Sequence, residues 1–156
     1  MTDLIHIDEI DRRLIRILQV DADLSQAALA EKAGCSQSSC WRRLQNLEQM
    51  GVLGAKMRAV DAKALGFNVN VMCMVRISEH GRGRRAEFES FILSRPEILE
   101  CYSMSGEWDY QLRIVTRTIE EYEEFLMQQI LRQPVVTQSS SQFALKELKY
   151  TNALPV

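Results

Sequence analysis

Apolar residues recur at helical spacing through the first fifty positions and then change period. Ile10, Leu14, Ile17 and Leu18 put one apolar face on a helix from Asp8 to Val20, with Asp8 as its N-cap and Asp11 at the third helical position. Asp21 and Asp23 break the pattern. Ser25 then caps a second, Ala-rich helix that buries Ala28, Leu29 and Ala33 and stops at Gly34. Ser36 caps a third helix, Gln37 to Met50, ended by Gly51 and joined to the second through only Gly34 and Cys35. Short helices joined by so tight a glycine turn predict a helix-turn-helix. At about 100° per residue, Cys40, Leu44 and Leu47 of the third helix fall on one side and Ser38, Arg42 and Gln45 on the other.

Val52 to Val60 reads as extended, and Asp61 to Gly66 as a turn of helix and a linker. The period then becomes two. Val69, Val71, Cys73, Val75 and Ile77 alternate with Asn70, Met72, Met74 and Arg76, which predicts a strand. A loop follows at His80 to Gly83, then a helix from Arg85 to Ser94 ended before Pro96. Strands are expected at Ile98 to Met104 and Tyr110 to Val115, a helix carrying Ile119, Tyr122, Leu126 and Ile130, and a long polar-faced strand from Val135 to Leu148.

The order βαββαβ is the ferredoxin-like arrangement, in which helices cover one face of a four-stranded antiparallel sheet. The fold class is therefore α+β: an N-terminal three-helix, winged-helix-like helix-turn-helix domain (1–51), an extended linker (52–66) and a ferredoxin-like domain (67–156). Met72, Met74, Tyr102 and Met104 are candidates for the sheet face left uncovered. They make either a partner surface, hence a homodimer, or part of the domain's own core.

Composition adds exclusions. Of 156 residues, 46% are hydrophobic and 26% charged, and glycine and proline are sparse, as in an ordered globular chain. No uncharged apolar run approaches the roughly 20 residues of a membrane span. The first residues include acids and no apolar signal core, so a cytoplasmic protein is expected, with no membrane partner. Cys35, Cys40, Cys73 and Cys101 form no CxxC pair and His6 and His80 lie far from them, so no metal site or cofactor is expected, nor a disulfide in a reducing compartment.

Net charge is −2, yet its distribution is uneven. Between Ser36 and Val60 the cations Arg42, Arg43, Lys56 and Arg58 face Glu48 as the sole acid. The outer face of the third helix offers hydroxyls, amides and a guanidinium, groups that suit phosphates and base edges. The candidate DNA-facing set is Ser36, Gln37, Ser38, Ser39, Trp41, Arg42, Gln45 and Asn46, with Arg43, Lys56 and Arg58 neutralising phosphates. The competing explanation is a solvated helix surface.

A three-helix reader, a basic extended linker and a βαββαβ domain together resemble the Lrp/AsnC, or leucine-responsive, transcription regulators. The resemblance spans Ile7 to Leu154 and rests most on IDEIDRRLIRILQVD, CWRRLQNLEQMGVL, SGEWDY at Ser105 to Tyr110, and the ending SSSQFALKELKYTNALP. Ser39 stands where many relatives have Pro, Cys35 where they have Leu, and Trp108 where Phe or Tyr is more frequent.

The resemblance implies a regulator that binds double-stranded operator DNA, joining the nucleoid when bound, and whose dimers assemble further, often to octamers. It also implies a small amino-acid effector held near Ser105, Gly106, Glu107, Trp108 and Asp109, with Gln138, Ser139, Ser140 and Ser141 contributed by a neighbouring subunit. In that setting Gly106 permits close backbone approach and Asp109 is a partner for an α-ammonium. Trp108 either lines the side-chain pocket or makes an assembly contact. The CWRR stretch and closing YTNALP look closest to the branch controlling cysteine detoxification, which points to cysteine, with leucine or a similar residue as the alternative.

Two other function classes remain. One is an amino-acid-binding module that regulates an enzyme by direct contact, which the paired Arg42 and Arg43 speak against. The other is a cysteine-nucleophile enzyme, and neither histidine accompanies a nucleophile turn, so a non-enzyme is expected.

Overall fold

The computed structural model describes residues 6–78 and 82–156, the side chain of Arg82 excepted. The chain divides into two compact units. One runs to Ala59 and includes Lys149–Val156, and the other spans Val60–Leu148. The last eight residues, expected within the second domain, thus pack with the first.

The first unit holds α1 (Glu9–Leu18), α2 (Gln26–Ala33) and α3 (Gln37–Gln49). Asp8 caps α1 by accepting from the Ile10 and Asp11 N–H groups, while the Asp11 carboxylate accepts from the Asp8 N–H, a reciprocal capping box. Ser25 and Ser36 cap α2 and α3. Gly34 leaves α2 at φ +70°, where a Cβ is disfavoured, and the Cys35 N–H closes the turn on the Ala30 carbonyl at 3.0 Å. Leu14, Leu29, Ala30, Ala33 and Cys40 are buried together, with Ile10, Ile17, Leu18 and Leu44 against them. Residues 52–60 continue without strand pairing.

The second unit contains β1 (Val69–Ile77), α4 (Arg82–Leu93), β2 (Ile98–Ser103), β3 (Tyr110–Thr116), α5 (Ile119–Phe125), a π-helical turn (Leu126–Ile130) and β4 (Val136–Phe143). The strands lie in the order β2-β3-β1-β4, every neighbouring pair antiparallel. Val71, Cys73, Val75, Tyr110, Leu112 and Ile114 point into one core with Phe88, Ile92, Tyr122, Phe125, Ile130 and Val135. Alternation along β1 sets which residues those are.

The boundaries differ from expectation in three places. The loop placed at His80 to Gly83 falls partly outside the described residues, and α4 begins at Arg82 rather than Arg85. The helix after β3 widens into a π turn because Phe125 and Ile130 both face the core, yet five residues of α-helix would set them about 140° apart. The Leu131 N–H accordingly bonds the Leu126 carbonyl. The last strand ends at Phe143 instead of Leu148. Phe143 pairs with Val71 and the Ala144 N–H reaches Asn70, after which β1 has almost no residues left to pair.

The other sheet face is mixed rather than a contiguous apolar patch. Met72 and Met74 are half-buried there and Tyr102 is exposed, but Glu100 and Arg113 sit across β2 and β3 as an ion pair at 2.7 Å.

Candidate functional site

The first region of interest is the outside of α3. Ser36, Gln37, Ser38, Arg42 and Asn46 are exposed, with Ser39 and Gln45 partly so. The Ser36 hydroxyl receives the Ser39 N–H at 3.2 Å and lies 3.2 Å from the Ser38 hydroxyl, so the cap also orders the first turn. Gln26 donates to the Gln37 carbonyl at 3.5 Å, linking the starts of α2 and α3. Arg42 has no ion-pair partner among the described residues and extends into solvent.

Arg43 departs from its expected role. Its Nη1 contacts Asp8 at 2.7 Å and Asp11 at 2.8 Å, and the side chain is 22% exposed. One helical step turns it about 100° from Arg42, away from the outer face and onto the capping box of α1. The Asp11 N–H, then Arg43, hold the Asp8 carboxyl below its usual value, while Asp11 and Asp8 raise the guanidinium's pKa. Arg43 is a clamp between helices, and its charge is already matched.

Lys56 and Arg58 lie beyond α3, and Trp41 stands at the edge of that face. Trp41, exposed, lines a groove of about 840 Å³ with Leu44, Glu48, Lys56, Met57 and the tail residue Leu154. Gln19 holds that tail in both directions, accepting from the Leu154 N–H at 2.5 Å and donating to its carbonyl at 3.1 Å. Arg58 is almost fully exposed and reaches Asp23 only at 3.9 Å.

The second region is the turn between β2 and β3. Ser105, Gly106 and Glu107 are exposed, and Trp108 and Asp109 partly buried. Gly106 has φ +114°, a conformation side-chain-bearing residues rarely adopt. Arg76 of β1 organises the turn: Nε donates to the Glu107 carbonyl at 3.0 Å, Nη2 to its carboxylate at 3.0 Å and Nη1 to Gln138 Oε1 at 3.3 Å, with the guanidinium 5.2 Å from the Trp108 ring centre. Three predicted effector-site positions, Glu107, Trp108 and Gln138, therefore converge on a residue outside the predicted set. Its signal was present: a cation on the uncovered face of β1, in register with Gln138.

Asp109 is held in place by its surroundings. Its Oδ2 accepts the Ile77 N–H at 2.9 Å, its own N–H bonds the Val75 carbonyl at 3.0 Å, and Oδ1 lies 3.6 Å from Arg85. These contacts pin the turn to the end of β1, so the carboxylate meets any ammonium with partners already in place.

The polar run of β4 divides by parity. Gln138 and Ser140 pair with Arg76 and Met74 on the uncovered face, whereas Ser139 and Ser141 pair with Val75 and Cys73 on the helix-covered face. Ser141 is 2.5 Å from the Tyr122 hydroxyl, whose pKa burial drives upward. Four residues read as one contact surface are thus two pairs facing opposite ways in this chain.

Among the described residues no cluster of three His, Cys, Asp or Glu side chains could hold a metal, and no helix is long and apolar enough to cross a membrane.

Comparison with known proteins matches both domains. Residues 7–48 match the AsnC-type helix-turn-helix domain and residues 70–154 the Lrp/AsnC ligand binding domain. The DNA-binding transcriptional activator DecR of Escherichia coli (strain K12) is 32% identical over 150 residues, covering 96% of this chain and 99% of that protein. The glutamate uptake regulatory protein of Zymomonas mobilis is 31% identical, covering 96% and 91%. An AsnC family transcriptional regulator from Agrobacterium tumefaciens superposes with TM-score 0.90 at 36% identity over 96% of this chain and 97% of its own. The L-Met complex of a Neisseria meningitidis transcriptional regulator gives 0.92 at 27% over 96% and 97%. With a helix-turn-helix unit, a ferredoxin-like unit and both family domains matched, the chain belongs to the Lrp/AsnC family: a DNA-binding transcription regulator with an amino-acid-binding domain.

Proposed function

We propose that this regulator binds its operator through the outer face of α3 and that a small amino acid seated at the Ser105–Asp109 turn changes that affinity. The observation that carries the reading is the contrast within α3: Arg42, on a polar, exposed face, has no ion-pair partner among the described residues, while Arg43 is spent on Asp8 and Asp11. A structural role consumes one arginine and leaves the other available for a base edge. Exposed Lys56 and Arg58 then serve phosphates.

At the turn, Arg76 and the backbone N–H groups beside Gly106 offer a carboxylate its partners, and the carboxylates of Glu107 and Asp109 offer an ammonium its own. Cysteine is the first effector to test, with leucine and methionine beside it. The Neisseria relative's complex with L-Met makes methionine a natural comparison. An effector alters operator binding only by its difference in affinity for two arrangements of the protein, so linkage is reciprocal. The uncovered sheet face, with Met72, Met74, Tyr102 and the Glu100–Arg113 pair, is proposed as the homodimer surface, from which octamers assemble. The working protein is cytoplasmic and nucleoid-associated when bound to DNA.

Retention of DNA from upstream of its own gene, at physiological salt with excess competitor and with or without single amino acids, tests the whole reading. Specific retention altered by one amino acid is the expected result. Amino-acid binding by calorimetry without any specific DNA retention would overturn it in favour of a module that regulates an enzyme.

A further inference from the structure

Ser36 is the N-cap of α3, which makes Cys35 the residue before the cap and Cys40 the fourth helical residue. Those two positions form the hydrophobic staple of a helix start, where side chains meet across the first turn. Here both are cysteines. Cys35 is part-exposed and packs on the cluster that contains Cys40, itself fully buried. Burial first, then the neighbouring Cys35, raises the pKa of Cys40. One thiol is thus reachable from solvent and the other is held behind it.

We propose that Cys35 and Cys40 form a reversible thiol–disulfide site in the reader domain, oxidised by small-molecule disulfides, whose closure reshapes the first turn of α3 and weakens operator binding. The consequence for DNA rests on the proposed function above, whereas formation of the bond does not. The Cys35 thiolate attacks one sulfur of a disulfide RSSR, forming a mixed disulfide and releasing RS⁻. Cys40 loses its proton and attacks the Cys35 sulfur, forming the Cys35–Cys40 bond and expelling the second RS⁻. Two protein thiols are oxidised, RSSR is reduced to two thiols, and the two protons end on them. Burial of Cys40 makes the second step slow at neutral pH and faster as pH rises.

A disulfide requires sulfurs about 2.05 Å apart, well inside non-bonded contact. Cys40 is wedged among Leu14, Leu29 and Ala33, so Cys35 and the cap must move toward it. That movement displaces Ser36, Gln37 and Ser38, the exposed start of the reader helix. A reducing thiol pool keeps the pair open, and an oxidised one closes it.

The full-length protein carrying C101S, which removes the exposed competing thiol, is incubated with oxidised glutathione. Intact mass and peptide mapping are expected to show a loss of about 2 Da confined to a peptide containing both cysteines, reversed by dithiothreitol. Amide exchange over residues 36–42 should change, and retention of the upstream DNA should weaken by about tenfold, the scale of one lost base contact. C35A should keep the reduced protein's DNA affinity and lose the response. A persistent mixed disulfide at Cys35, or a closed bond leaving exchange in residues 36–42 unaltered, would overturn the proposal. Failure of the reduced protein to retain DNA would instead count against the reader assignment, with mass and exchange still deciding the disulfide.

Discussion

Arg42 and Arg43 are neighbours in sequence with opposite circumstances, and this makes a controlled experiment. Arg42 is exposed and has no ion-pair partner among the described residues, so Arg42→Ala should leave stability within about 0.5 kcal/mol of the parent. Its whole effect then falls on the complex. A bidentate guanidinium contact to guanine contributes about 1–3 kcal/mol, or roughly 5- to 140-fold in Kd. Arg42→Lys retains the charge and loses the fork, so it should forfeit most of the specific term while keeping non-specific DNA binding. Arg43→Met should do the reverse: the melting temperature falls because Asp8 and Asp11 lose their shared partner, and DNA affinity of the folded fraction changes less. Fluorescence anisotropy on specific and scrambled duplexes across a salt series separates these terms. If Arg42→Ala weakens every sequence alike and flattens the salt slope by about one ion, Arg42 is a phosphate contact. If affinity is unchanged, the outer face of α3 is not the reading surface.

The Asp8 carboxyl is held below its ordinary 3.8, so its stabilisation is full well above that value and is lost as pH falls through the lowered pKa. Thermal melts from pH 7 to 3 should show the reader weakening at the acid end, and Asp8→Asn should flatten that dependence. Gly106→Ala meets no atom within 4 Å, so its cost is the backbone alone. About 1–2 kcal/mol of destabilisation is expected in denaturant titration, together with weaker effector binding. Asp109→Ala leaves the Ile77 N–H without its acceptor and should destabilise by about 1 kcal/mol while lowering effector affinity. Undiminished binding by calorimetry would make Asp109 a purely structural latch. Tyr102→Arg on the uncovered sheet face should shift sedimentation toward monomer with the circular dichroism spectrum retained.

The fold was legible wherever one period persisted. Asp8, Ser25 and Ser36 as caps and Gly34 as a stop place α1 to α3, and alternation from Val69 to Ile77 places β1 with its buried side. What failed was contextual. The stretch after Phe143 was expected to continue the strand to Leu148, but a strand ends when its neighbour does, and β1 begins at Val69. The π turn at Leu126–Ile130 was hidden because Ile119, Tyr122, Leu126 and Ile130 suit an ordinary helix. Burial of Phe125 as well as Ile130 is what demands the wider turn. The tail's return to α1 depends on Gln19 meeting the Leu154 backbone, a contact without side-chain periodicity at one end.

The candidate site was legible as segments and illegible as commitments. A linear reading credits each charge to the stretch that carries it, which gave Arg43 to DNA. In the folded chain, charge is assigned by what the opposing element supplies. Asp8 and Asp11, three apart at the start of α1, form a receptor for one guanidinium, and the step of about 100° between consecutive helical residues decides which arginine fills it. The same logic on the sheet gives Arg76 to Glu107, Trp108 and Gln138, and period two separates Ser139 and Ser141 from Gln138 and Ser140. On α3 the residue left over after this internal matching, Arg42, is the one a ligand can claim, whereas at the turn the matching holds Arg76, Glu107 and Asp109 in place for one. The DNA-facing arginine is therefore read by subtraction: Asp8 and Asp11 first consume Arg43, and Arg42 remains for a partner.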